Sequence, residues 1–392
     1  MHTDGRDPIV TSPTGAWMRR RTLAPRAFAL LVVITLVACS TSPTAAPSLL
    51  GTPAITSVLA PTASPEPTPS PTPMLIPSPL DGLLVTPAVA ARHPIAVMID
   101  DHDGARPQAG FNAASVVWQA PAEGGIPRYM MIFSDQIPTA VGPIRSAREY
   151  FIDWAAEWDA LYVHAGGNTN ATLTLRAKGD GTLVWNADAL VVGRPWFWRV
   201  SFRVAPHNLY TDGAFLRNLA AARGAVDAPF AGNWAFGPDA DPANRPVGGA
   251  ITVVYPYESI TYRYDHDSNN SVRYLNGSSR PQVDAGDKQV VAPKNVVILR
   301  MAFSLRPHDS TPGALDAADV GSGQAFIATN GVTIRGTWRK SSVNGPTLLF
   351  DAGGNPVTLT AGQTFVQVIS LSYGFTIKDG VVPAAEASPS AS

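Results

Sequence analysis

Prolines alternate with small polar residues through Ala63-Ser64-Pro65-Glu66-Pro67-Thr68-Pro69-Ser70-Pro71-Thr72-Pro73, and no packed core can be built from such a run. It lacks both the helical and the strand period, and alternate prolines favour an extended polyproline II chain. At ~3.1 Å per residue, thirty such residues reach about 90 Å. The sequence therefore predicts a disordered linker over residues 40–90 and confines the fold to the residues beyond it. A second Ala/Pro/Ser-rich run closes the chain, and residues 373–392 read as a disordered tail.

The segment before the linker reads as an address. Arg19, Arg20, Arg21 and Arg26 form a basic segment, and Phe28 to Val37 is apolar and uncharged. The run is short for a full membrane span of ~20 residues. It ends in Leu36-Val37-Ala38-Cys39, which resembles the lipobox of bacterial lipoproteins, so residues 1–39 read as a signal peptide ending at the lipobox. Cys39 is the only cysteine in the chain and can form no internal disulfide. The expectation is a protein held at the extracytoplasmic face of the cell membrane by lipid on Cys39. A formal charge of −1 gives no whole-chain case for nucleic acid.

Residues 91–240 read as an α/β domain with a mixed sheet. Pro94 to Asp101, Ser115 to Gln119, Tyr129 to Phe133 and Ala160 to His164 are short apolar runs of strand character. Several end in a charged or imidazole group next to glycines, and ligands of open α/β sheets sit outside such strand ends. Between them lies Gly142-Pro143-Ile144-Arg145-Ser146-Ala147-Arg148-Glu149-Tyr150. It reads as a turn into a helix, with Ser146 as N-cap and Glu149 closing a capping box. Tyr150, Phe151, Trp154 and Trp158 follow at helical spacing. Arginines at a helix mouth run against the helix dipole, so Arg145 and Arg148 read either as partners of acids such as Glu123 or Asp153 or as an anion site. The candidate ligand-binding set is Asp100, Arg106, Glu123, Arg128, Arg145, Arg148, His164, His207 and Asn208. Catalytic residues are not identifiable. The histidines show no metal-ligand spacing, and no glycine-rich phosphate loop is present, so neither metal nor cofactor is expected.

From about residue 250 the texture changes to short alternating strands with Asn-Gly turns, which reads as a β-rich domain over 250–372. The fold class expected is α+β, an α/β domain followed by a β-rich one.

The ordered motifs carry a resemblance. Ile95-Ala96-Val97-Met98-Ile99-Asp100, Glu123-Gly124-Gly125-Ile126-Pro127-Arg128, Gly142-Pro143-Ile144-Arg145-Ser146-Ala147-Arg148, His164-Ala165-Gly166-Gly167 and Ala205-Pro206-His207-Asn208-Leu209-Tyr210 occur in this order. With Gly336-Thr337-Trp338-Arg339-Lys340 and Gly362-Gln363-Thr364 they make the chain similar to the YerB-type lipoproteins of the DUF3048 family over residues 90 to 372. The resemblance implies a bacterial, membrane-anchored, two-domain protein and no established activity. Three functions are open at this point. One is binding of an anionic cell-envelope ligand such as a cell-wall glycan. The second is an envelope enzyme acting on phosphate-bearing or lipid-linked glycans, with Asp100 holding a divalent cation. The third is a scaffold docking an envelope protein, a cell-wall synthase.

Overall fold

The computed structural model describes residues 74–383. The signal peptide, Cys39, the linker up to residue 73 and the tail from residue 384 lie outside the described residues.

A ten-stranded mixed sheet organises the body. Its strands in chain order are β1 (Ile95–Asp100), β2 (Val116–Ala120), β3 (Arg128–Phe133), β4 (Leu161–His164), β5 (Trp185–Asp188), β9 (Asn295–Met301), β10 (Gly321–Thr329), β11 (Val332–Lys340), β12 (Leu348–Asp351) and β13 (Thr364–Ser370). A second sheet holds β6 (Ala250–Val254), β7 (Ser259–Asp265), β8 (Asn270–Leu275) and β14 (Phe375–Lys378). The spatial order of the large sheet is β12-β11-β10-β9-β13-β2-β3-β1-β4-β5. β13 pairs in parallel with β2 on one side and with β9 on the other, so strands of both halves of the chain share one sheet.

The chain is α+β, as its sequence predicts. The central strands β1, β2, β3 and β13 are buried on both faces and read as largely apolar runs, whereas β6 to β8 face solvent on one side and alternate. Among the described residues three helices of seven or more residues accompany them: α1 (Glu149–Ala155), α2 (Thr169–Lys178) and α3 (Gly213–Arg223). One face of the sheet packs Met98, Trp118 and Met130 against Tyr150, Phe151 and Trp154 of α1, with Trp118 and Trp154 stacked at 4.7 Å. The other face packs Val97, Ile99 and Met131 with Ile251, Val253 and Ile260 of the small sheet and Leu216 and Leu219 of α3.

Three local expectations need correcting. Order begins well before residue 91: Ile76–Pro77 pairs with Leu84–Val85, Leu80 is buried in the core, and Asp81 accepts from Gly362 through its carbonyl. Order also continues past 372, because β14 pairs antiparallel with β6. Ser146 is not a cap. Residues 142–147 run extended, bridging Gly142 to Ala109, Ile144 to Ile99 and Ala147 to Gly167. Helix α1 therefore starts at Glu149 with Arg148 as N-cap and no capping side chain. The flanking amides of Arg145 and Ala147 donate to the Met98 and Gly166 carbonyls, which holds this run extended across Ser146.

Candidate functional site

The rim predicted from strand ends is a consequence of strand direction. β1, β2 and β4 run parallel, while β3 runs against them. The C-terminal ends at Asp100, Ala120 and His164 and the N-terminal end at Arg128 therefore lie along one edge of the sheet. Asp100 and Arg128 stand opposite one another in register. The chain returns from β2 to β3 through Glu123-Gly124-Gly125, where both glycines adopt left-handed φ, 68° and 77°. A β-carbon at Gly125 would meet the Pro256 ring at 2.9 Å, so the turn demands glycine on two counts.

Asp100 is the centre of the first charge network, with a fully buried side chain. Its Oδ2 accepts from His207 Nδ1 at 2.7 Å and faces Arg145 Nε at 3.1 Å. Its Oδ1 accepts from the His102 amide at 3.1 Å and lies 3.9 Å from Arg128. Burial pushes its pKa up, but Arg128, Arg145 and the His207 bond outweigh burial and hold the carboxyl below the usual range. The carboxylate is thus ringed by cationic and N–H groups, which leaves no place for the divalent cation of the enzyme alternative.

The arginines divide into one that is satisfied and two that are not. Arg148 donates through Nε to Glu123 at 2.6 Å, pairs with the same carboxylate through its terminal nitrogen, and donates to the Ala147 carbonyl at 2.6 Å. This is the Glu123 pairing anticipated for it. Arg145 faces Asp100 off the axis of its N–H, so the contact is ionic and makes no hydrogen bond. Its side chain keeps 25% of its surface exposed. Arg128 is the anomaly. Its side chain is only 9% exposed, yet it makes one hydrogen bond among the described residues, to the Pro127 carbonyl at 2.9 Å. A guanidinium has five N–H donors, and its Nε is buried with no acceptor. Burial lowers the pKa of Arg128; Asp100 opposes this, and Arg148 and Arg145 lower it further. Three guanidiniums here face two carboxylates, one positive charge in excess.

Other predicted residues go elsewhere. Arg106 belongs to a second network around Asp101 and Glu258, pairing with both, while Gln119 donates to Asp101 at 2.6 Å and to Glu258 at 2.7 Å. Arg273, fully buried, donates to Gln119 and to the Tyr129 hydroxyl at 2.9 Å each. Burial raises the Glu258 pKa, and the neighbouring Asp101 raises it further against the pull of Arg106 and Arg273. Beside this network opens a cleft of about 420 Å³, bordered by His102, Arg106, Gly124, Pro127, Tyr257 and Glu258. His164 is engaged at both ring nitrogens, by the Gly166 carbonyl and Asn186 Oδ1 at 2.8 Å each. Asn208 binds Arg199 and the carbonyls of Val200 and Arg203 within its own loop. Neither joins the Asp100 network. Sequence reasoning missed Asp101, Gln119, Glu258 and Arg273. The available signals were a glutamine inside the apolar run Val116–Ala120 and an arginine at an inward position of β8.

No helix among the described residues is long and apolar enough to cross a membrane. The chain is 29% identical over 297 residues, covering 74% of it and 86% of the relative, to the Bacillus subtilis (strain 168) protein named "Putative lipoprotein YerB". The crystal structure of YerB protein from Bacillus subtilis superposes with a TM-score of 0.67 at 26% identity, covering 76% of this chain and 99% of that one. Residues 80–226 match the N-terminal domain, and residues 251–366 the C-terminal domain, of the family described as protein of unknown function (DUF3048). With both domain models matched in order and most of the chain covered, the protein belongs to the DUF3048 family.

Proposed function

We propose that the protein is a lipid-anchored, extracytoplasmic binding protein that takes an anionic ligand of the cell envelope at the Arg128–Arg145 rim. The observation that carries this reading is Arg128, a guanidinium nine-tenths buried with one of its five donors used. Burying an unsatisfied charge is strongly unfavourable, and a fold retains such a group where a ligand completes it. Phosphate and carboxylate oxygens match the guanidinium fork, and charge-assisted bonds of this kind are roughly twice as strong as neutral ones. Arg145 supplies a second, solvent-reachable donor set with no hydrogen bond of its own. The lipid anchor on Cys39 is supported by the lipobox-like Leu36-Val37-Ala38-Cys39 and by the name of the Bacillus subtilis relative.

Calorimetric titration of the full chain with inorganic phosphate at low and high salt tests the site. Binding should weaken at least about tenfold in Arg145→Ala and fall with ionic strength. Unchanged affinity in Arg145→Ala would remove the rim as the site.

A further inference from the structure

We propose that the Asp100–His207 pair is a general base, so that the rim hydrolyses a phosphate ester as well as holding it; this rests on the anion-binding reading above. His207 is held on three sides. Its Nδ1 bonds Asp100 Oδ2 at 2.7 Å, its ring stacks on His102 at 4.6 Å with 15° between planes, and Gly104 closes the Cδ2 edge. A β-carbon at Gly104 would stand 3.1 Å from His207 Cδ2, so the backbone there is in near contact with the ring. A carboxylate accepting at Nδ1 places the ring proton on that nitrogen and leaves the lone pair on Nε2. Nε2 has no hydrogen-bond partner among the described residues, and the side chain is partly open to solvent.

Two other histidines give a contrast. His164 has both ring nitrogens bonded within the fold, and so does His266, to Asp267 and the Pro242 carbonyl. Those rings are spent as structural groups. Among the described residues His93, His102 and His207 are each bonded at one ring nitrogen, His93 to the Asp159 carbonyl and His102 to the Gly104 amide, and of these three it is His207 that is oriented by a carboxylate. It also sits beside the arginines, since His207 and Arg145 approach the same Asp100 oxygen.

The step balances with water as the only co-reactant. The water oxygen forms a bond to phosphorus as Nε2 takes a water proton. The bond from phosphorus to the ester oxygen breaks, its electron pair staying on the leaving oxygen, which takes the proton back from His207. Alcohol and phosphate result, with no change of oxidation state. Arg128 and Arg145 face the charge that grows on the non-bridging oxygens, the preorganised arrangement that phosphoryl transfer requires. Asp100 is a positioning residue that fixes the tautomer.

The full chain is assayed with p-nitrophenyl phosphate and bis(p-nitrophenyl) phosphate, and separately titrated with inorganic phosphate. Turnover of at least one ester is expected. His207→Gln should lower it by about 100-fold or more while leaving phosphate affinity in place, which also reports an intact fold. Asp100→Asn should shift the acid limb of the pH–rate profile to lower pH, a change that a purely structural role would not produce. Phosphate binding without hydrolysis of either ester, or native turnover in His207→Gln, overturns the base and leaves the binding reading standing. Absence of phosphate binding in the native chain overturns both.

Discussion

At the scale of single residues, the molecule places a buried and poorly satisfied cation at the charged edge of its sheet. Arg128 has one hydrogen bond and an acid at 3.9 Å, while Arg145 and His207 take the closer positions on Asp100. Because Asp100 keeps those two partners, replacing Arg128 by methionine removes a poorly compensated buried charge without orphaning the acid. Arg128→Met should therefore change stability in denaturant by no more than about 1 kcal/mol, yet lose phosphate binding. A loss of several kcal/mol in chemical denaturation would instead make Arg128 a structural ion-pair member. Asp100 contributes on the acid side. Its pKa is depressed in the fold, so its stabilisation is present above the ordinary carboxylate value and is lost as pH falls through the depressed one. Asp100→Asn should flatten that acid limb in a pH series of thermal melts. The helix mouth read from the sequence marked Arg145 and Arg148 as out of place there. That reading could not say that Arg148 is satisfied by Glu123 and Arg128 is not, because that depends on how a two-glycine turn aims an acid.

At the scale of elements, the extended run 142–147 and helix α3 show what local sequence can and cannot specify. Asp212 caps α3 by accepting from the Phe215 amide at 2.8 Å, and Gly224 ends it in a left-handed conformation, each the residue type its position favours. The motif at Ser146 has equally good cap chemistry, yet long-range bridges to Ile99 and Gly167 override it. Asp212→Ala should cost about 1 kcal/mol, whereas Ser146→Ala should stay within about 0.5 kcal/mol, as equilibrium denaturation of the two variants will show. The β7–β8 hairpin brings Glu258 and Arg273 onto Gln119 and Tyr129. That contact was invisible in the sequence because it depends on sheet-to-sheet packing. The Glu258 pKa is raised in the fold, so its stabilisation is complete below the ordinary carboxylate value and declines as pH rises through the raised one. Stability should fall on the alkaline side, and Glu258→Gln should reduce that slope.

At the scale of the whole molecule, β13 is the joint. The α/β character of the first half and the β-rich character of the second were both legible from periodicity. Their union in one sheet was not, since a parallel pairing between Val116–Gln119 and Thr364–Gln367 leaves no local signature. A fragment of residues 74–249 would expose the unpaired edge of β2 and lose the small sheet from one face. It should fail to give a soluble, cooperatively melting monomer in circular dichroism, where residues 74–383 should give one. The same architecture sets the rim, because strands from one half supply Asp100, Arg128 and the turn carrying Glu123, and the second half buries the face behind them. The anion site is tested most directly by crystals of the protein soaked in tungstate, whose anomalous signal locates a tetrahedral oxyanion. The structure predicts a peak within hydrogen-bond distance of both Arg128 and Arg145, beside His207 Nε2. Tungstate bound elsewhere with that position empty, or the Arg128 donors closed by protein groups, would contradict it.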